Sequence, residues 1–300
     1  MANILKKIGI KNIVITSIVV VTAMAGGLAV GIVFGKLNSK DKPVDFEAPI
    51  DTGLEQDYDL LMQRYAENPS KENFRPFEIA NIAWLKFGQE EHTHSVAHCV
   101  VTAAIVKQHV YTHDVRVGDS FYSESVFASS LKKGGFRFYQ KDGIVNRYTA
   151  SNVQQEGTAT WNEDTLLVKT TEEHEAIWGK TVDRPVIYIF SDKTVLEEKL
   201  IEEDDKYVID MELEPTLTTE RYSRQMVGMS SLSQLPVFHK VHIAVTCDKD
   251  YNIDKMVIQE SYTVYVVGRN DSDAVNTVYF HHNSDETIPD LTTDYDYGGV

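Results

Sequence analysis

From about His94 onward the chain alternates apolar and polar residues at period two for much of its remaining length. This limits the fold more than any other feature, because alternation at period two describes strands with one buried face. CVVTAAIV, residues 99 to 106, is small and β-branched, and FYSESVFAS alternates. GFRFYQKDGIVNRY holds two runs split by Asp142-Gly143, a two-residue hairpin signal. YVIDMELEP puts Tyr207, Ile209, Met211 and Leu213 on one face, with Asp210 and Glu212 on the other. VFHKVHIAVTC does the same for Val237, His239, Val241, Ile243, Val245 and Cys247, and MVIQESYTVYVV and NTVYF follow. The pattern predicts about eleven strands. Short turns between consecutive strands predict an antiparallel sheet.

Three stretches carry helical spacing instead. Leu54, Tyr58, Leu61, Met62 and Tyr65 share a stripe that ends at Asn68-Pro69, since a residue before proline avoids the α region. Pro76 opens a second helix with Phe77, Ala80, Trp84 and Phe87 on its apolar side and Gly88 at its end. A third is predicted over 216–235, with Tyr222, Met226 and Met229 on one stripe. The segment near 152–180 reads as irregular and acidic, and residues 290–300 as an acidic disordered tail.

The N-terminus has a different texture. Lys6, Lys7 and Lys11 precede a run from Ile13 to Phe34 without a charged residue. A helix of that length rises about 33 Å, enough for a bilayer core of about 30 Å. The run predicts a transmembrane helix over 13–35, a short cytoplasmic tail over 1–12 and a tether over 36–53. The domain, 54–289, is then extracytoplasmic. Ala23-Met24-Ala25 offers a cleaved signal peptide as the competing reading, but cleavage there would leave a greasy new N-terminus. Gly27, Gly31 and Gly35 repeat at four-residue spacing, the small-residue stripe through which such helices self-associate.

Acids outnumber bases 45 to 29, a net charge of −16, and every acid follows residue 36. Phosphate backbones would be repelled, which excludes nucleic acid as a partner. Cys99 and Cys247 are the two cysteines. They could pair in an oxidising compartment or pack as small hydrophobes.

Candidate sites are few. HTHSVAHC puts His92, His94, Val96 and His98 on one strand face. Alternate histidines supply half a zinc site, and no further ligand motif accompanies them, so no metal is expected there. DKDYNID, residues 248 to 254, has carboxylates at alternate positions. It lacks the glycine and the closing glutamate of a calcium loop, and reads as a hairpin turn. Glu260 lies among Met256, Ile258, Tyr262 and Val264, and reads as a structural carboxylate held by a tyrosine or a backbone amide. With no nucleophile elbow, phosphate loop or cofactor motif, the chain is not expected to be an enzyme.

The order of PFEIANIAWLKFG, SVAHCVVTAAIVKQHV, RVGDSFYSESV, FRFYQKDGIVNRY and NIDKMVIQESYTVYVV resembles the LolA/LppX group of envelope lipid carriers. The resemblance implies an α+β, mostly β fold: a curved antiparallel half-barrel of about eleven strands packed on two or three helices. It implies a membrane-anchored extracytoplasmic domain that binds a hydrophobic or lipid-like ligand. Phe77, Trp84, Phe87, Tyr222, Met226 and Met229 would line the site. The alternatives are a non-enzymatic envelope scaffold and a metal-dependent enzyme.

Overall fold

The computed structural model describes residues 58–103, 106–129, 133–154, 159–178, 188, 190–220, 222, 223, 226, 235–265 and 269–288. Two helices come first, α1 (Tyr58–Glu67) and α2 (Pro76–Gln89), joined through a single 3₁₀ turn at Lys71–Asn73. Six strands follow: β1 (His92–Ala103), β2 (Val106–Val117), β3 (Ser120–Ser129), β4 (Lys133–Lys141), β5 (Ile144–Val153) and β6 (Ala159–Thr170). Then come α3 (Thr171–Trp178), β7 (Val195–Glu203), β8 (Lys206–Leu213) and the short α4 (Pro215–Thr218). The described elements end with β9 (Val237–Asp248), β10 (Ile253–Tyr265) and β11 (Arg269–His282).

The eleven strands form one sheet in the order β6-β5-β4-β3-β2-β1-β11-β10-β9-β8-β7. Two meanders therefore lie side by side, and β1 joins them by pairing antiparallel with β11, from Thr93↔His282 to Ala103↔Ser272. Asp142 (φ 50°) and Gly143 (φ 75°) make the tight turn between β4 and β5, with the positive φ at both positions that a type I′ turn requires. Asp248 organises the β9–β10 turn: its carboxylate accepts from the backbone N–H of Asp250 (2.9 Å) and Asn252 (2.8 Å) and from the Asn252 amide (2.8 Å).

The expected half-barrel is corrected to a mixed α+β fold with an open sheet. Its edges, β6 and β7, do not pair with each other. β7 carries Glu197, Glu198, Lys199, Glu202 and Glu203 along its edge, and charges of this kind block edge-to-edge closure. The LolA/LppX resemblance is withdrawn with the half-barrel. The segment read as irregular near 152–180 contains β6 and α3. Of the helix expected over 216–235, residues 215–218 form α4 and Glu220, Tyr222, Ser223 and Met226 are also helical, while 221, 224, 225 and 227–234 lie outside the described residues.

The membrane readings are corrected too. The predicted span over 13–35 with Gly27, Gly31 and Gly35, the tail 1–12, the tether 36–53 and the acidic tail 290–300 lie outside the described residues. Among the described residues no helix is long and apolar enough to cross a membrane. α2, at 14 residues, rises only about 21 Å and carries Glu78 and Lys86. The single-pass, membrane-anchored, extracytoplasmic reading of location, partner and function is withdrawn.

The core sits between one face of the sheet and the helices. α2 buries Phe77, Ile79, Ala80, Ile82, Ala83 and Phe87 against β7 to β10. Its start is held by the Arg75 N–H donating to Glu78 Oε2 (2.9 Å) and the Phe77 N–H donating to Glu198 Oε2 (3.0 Å). Each buried aliphatic side chain contributes about 1.5–3 kcal/mol. Cys99 and Cys247 are unpaired and buried in this core, and burial pushes the Cys247 thiol up to about 12.

Candidate functional site

Trp84 and Phe87 are one helical turn apart near the end of α2, so their rings meet with centroids 6.4 Å apart. Both pack edge-on against Phe280 of β11, at 5.7 and 5.0 Å. The chain then turns into β1, and the N–H of Gly118, just past β2, donates to Glu91 O (2.7 Å). The end of α2 consequently stands over the start of β1, the end of β2 and the start of β3. A cavity of about 270 Å³ lies there, with Trp84, Phe87 and Phe121 among its walls and Gln89, Thr93, His94, Ser95, Asp114 and Arg116 as the polar residues lining it.

The sheet register places the polar groups. Thr93 pairs with Arg116 and Ser95 with Asp114 across β1 and β2, and Asp114 pairs with Ser123 across β2 and β3. All lie on the core face, where Thr93, Ser95, Asp114 and Ser123 are buried. Asp114 is only 5% exposed, and the Ser95 hydroxyl donates to its Oδ2 at 3.4 Å. Arg116 is turned toward the helix end: its Nη1 donates to Gly88 O (3.1 Å), and its guanidinium lies 5.8 Å from the Phe121 ring centre.

The structure separates the six side chains expected to line one site. Trp84 and Phe87 border the cavity. Phe77 lies at the opposite end of α2, beneath the Arg75 guanidinium at 4.7 Å. Tyr222 and Met226 are buried elsewhere, Tyr222 against Phe238 (5.7 Å) and Tyr188 (5.6 Å). Met229 lies outside the described residues.

His92, His94 and His98 share the sheet face opposite the helices. His94 stacks on His281 with centroids 4.1 Å apart, and its Nδ1 bonds the Ser284 hydroxyl at 2.6 Å. Burial, then the neighbouring His281, holds the His94 imidazole below its usual pKa. His98 stacks on Tyr111 (4.6 Å) and bonds His109 through Nε2 and Nδ1 (2.9 Å). Burial, then His109, lowers its pKa likewise. His94 and His98 thus engage different partners. Among the described residues no group of three or more His, Cys, Asp or Glu could hold a metal ion.

Sequence reasoning missed Ser95, Asp114, Arg116 and Phe121. One signal was present: in VKQHVYTHDVRV, Asp114 falls at the same parity as Val106 and Val110, which marks an acid on the inward face.

No protein-family model matches the chain and no curated protein matches it. Among solved structures, the chain is distantly similar to a DUF1329 family protein from Desulfovibrio piger: 12% identity, 71% of this chain and 93% of that one, TM-score 0.27. A second similarity is to an N-terminal dehydratase from the difficidin assembly line: 9% identity, 67% of this chain and 84% of that one, TM-score 0.12. Overlaps this slight carry no argument about activity.

Proposed function

We propose that this chain is a non-catalytic binding domain for a small, flat molecule bearing a protonated amine. The observation that carries the reading is Asp114, a carboxylate 5% exposed beside an aromatic-walled cavity. Concave apolar walls with a few convergent polar groups are the usual form of a ligand site, and about 270 Å³ suits a ligand at the small end of the range. Trp84, Phe87 and Phe121 offer ring faces for a flat apolar body. Asp114 offers a charge-assisted bond to an ammonium group. The Arg116 guanidinium is directed at Gly88 O and the Phe121 ring. The chain's net charge of −16 favours approach of a cation.

Tryptamine and its alcohol analogue tryptophol test this reading. Titration of tryptamine is expected to perturb the NMR resonances of Trp84, Ser95 and Asp114. Asp114→Asn should weaken tryptamine about 10–100-fold, the value of a hydrogen bond to a charged group, while changing tryptophol little. Trp84→Ala should weaken both. Absence of perturbation at these residues at millimolar ligand, or equal loss of amine and alcohol in Asp114→Asn, would overturn it.

A further inference from the structure

The chain that leaves β11 crosses the strands instead of turning back along them. Its path follows one row of the sheet face opposite the helices, where the register aligns His281 of β11, His94 of β1, Val115 of β2, Tyr122 of β3 and Tyr139 of β4. Asn283 turns the chain with a φ of 48°, and the Ser284 N–H donates to His92 O (3.1 Å). The Ser284 hydroxyl bonds His94 Nδ1 at 2.6 Å. Two residues on, a Glu286 carboxylate oxygen lies 3.9 Å from His113 Nε2. Ile288 then packs against Val115, Tyr122 and Tyr139, a small apolar cluster separate from the main core. Residues 283–288 thus form a strap, tied by histidines at one end and by an isoleucine at the other.

The histidine end is arranged around a neutral imidazole. Ser284 Oγ accepts the Glu286 N–H (3.0 Å), so its own hydrogen serves the Nδ1 of an unprotonated His94. His94 also stacks on His281 with centroids 4.1 Å apart and meets His113 at 6.0 Å. Histidine is the side chain that gains its charge as pH falls from 8 to 5, and three of these rings charged together would repel. The other charged groups around the strap divide in sign. Asp285 and Glu286 on the strap and Glu124, paired with His113, are acidic, and Glu124 already accepts from the Tyr122 hydroxyl (2.5 Å). On the basic side are His92 of β1, Arg137, paired with Glu124, and Lys255 of β10, paired with Tyr279. At the base of the strap His282 bonds Glu90.

We propose that residues 283–288 are an acid-released strap: neutral His94, bonded to Ser284 and stacked on His281, holds it down, and protonation of these rings lifts it from the Val115–Tyr122–Tyr139 strip. Burial first, then His281, holds the His94 imidazole below 6.5; Glu286 opposes them and His113 adds to them. The lifted strap therefore binds the proton more readily than the seated one. The contribution of His94 to the latch is fully present above about pH 6.5 and is lost as pH falls below it. The strap does not depend on the ligand proposed for Asp114.

Hydrogen exchange on the full-length protein tests this, with each rate divided by its intrinsic rate at the same pH. Protection of the Ser284 amide is expected to fall about threefold or more between pH 7.5 and pH 5.5. Protection of Ile258, in the middle of β10, should not fall with it. Ionisation of the buried Glu260, pushed up to about 7, makes the whole fold more stable on acidification, the opposite direction. His94→Gln keeps a partner for Ser284 but takes no proton, so its Ser284 protection should be the same at both pH values. Glu286→Gln removes the opposing attraction and should enlarge the fall. Unchanged or increased Ser284 protection at pH 5.5 would overturn the proposal. So would a fall that persists in His94→Gln, or one that Ile258 shares.

Discussion

Replacing Glu260 by glutamine is expected to stabilise the protein above pH 7 and to remove a loss of stability that the wild-type protein shows between about pH 4.5 and pH 7. Burial on the core face of β10 pushes the Glu260 carboxyl from 4.5 up to about 7, and the Tyr188 hydroxyl opposes that rise only in part. A carboxyl whose folded pKa is raised holds its proton more tightly in the native state than in the unfolded chain. Below about pH 4.5 both states are protonated and nothing is lost. Between about pH 4.5 and 7 the unfolded chain ionises while the native state still holds the proton, so stability falls; above 7 both states are ionised and the loss is complete. The full shift corresponds to something on the order of 3 kcal/mol. Glutamine keeps the shape and cannot ionise, so its curve stays flat through that window. Tyr188→Phe removes the opposing bond and should steepen the wild-type loss. Urea midpoints at pH 4, 6 and 8 measure all three. Wild-type and Glu260→Gln curves that run parallel across that range would sink the assignment.

The strands whose side chains alternate cleanly were legible in the sequence. Tyr207, Ile209, Met211 and Leu213 are buried along β8, with Asp210 and Glu212 turned outward, because a regular pleat preserves parity. In β9 the same reasoning fails at one point. Val237 and His239 read as inward, yet Phe238 is buried and Val237 is 48% exposed. The register with β10 shifts between Ser261 and Tyr262, pairing Lys240 with Ser261 and Phe238 with Tyr262, so one extra residue reverses the faces. A bulge leaves no mark in the apolar pattern. Strand β6 was missed for another reason: TWNEDTLLVKT is an edge strand whose polar run Asn162–Asp164 hides its period. The cavity was half legible. Trp84 and Phe87 advertise themselves by helical spacing, but Asp114, Ser95 and Phe121 converge only through pairings of β1, β2 and β3. Which registers those strands adopt depends on contacts distant in sequence.

Phe127→Ala is expected to cost about 3–5 kcal/mol, among the largest effects of a single core substitution. Phe127 is 2% exposed on the core face of β3 and pairs directly with Gly134 of β4. Its ring covers that glycine so closely that a Cβ added at Gly134 would lie 2.5 Å from the ring's Cζ. An aromatic laid over a glycine in the neighbouring strand fills the space that the missing side chain leaves and shields the backbone. The pair therefore makes a second, sharper demand. Gly134→Ala alone should cost about 1–3 kcal/mol, because the buried ring has nowhere to move. In the Phe127→Ala background the same change should cost much less, since the clashing ring is gone and the new methyl enters the vacated space. The coupling energy from the four proteins should be about 0.5–3 kcal/mol. Gly135 provides the contrast. A Cβ there would meet the Ser125 carbonyl oxygen at 2.7 Å, a backbone atom that truncating Phe127 does not move. Gly135→Ala should accordingly cost the same with or without Phe127. Chemical denaturation of the six proteins decides it: strictly additive costs at Gly134 would show that the ring and the glycine do not act as a pair.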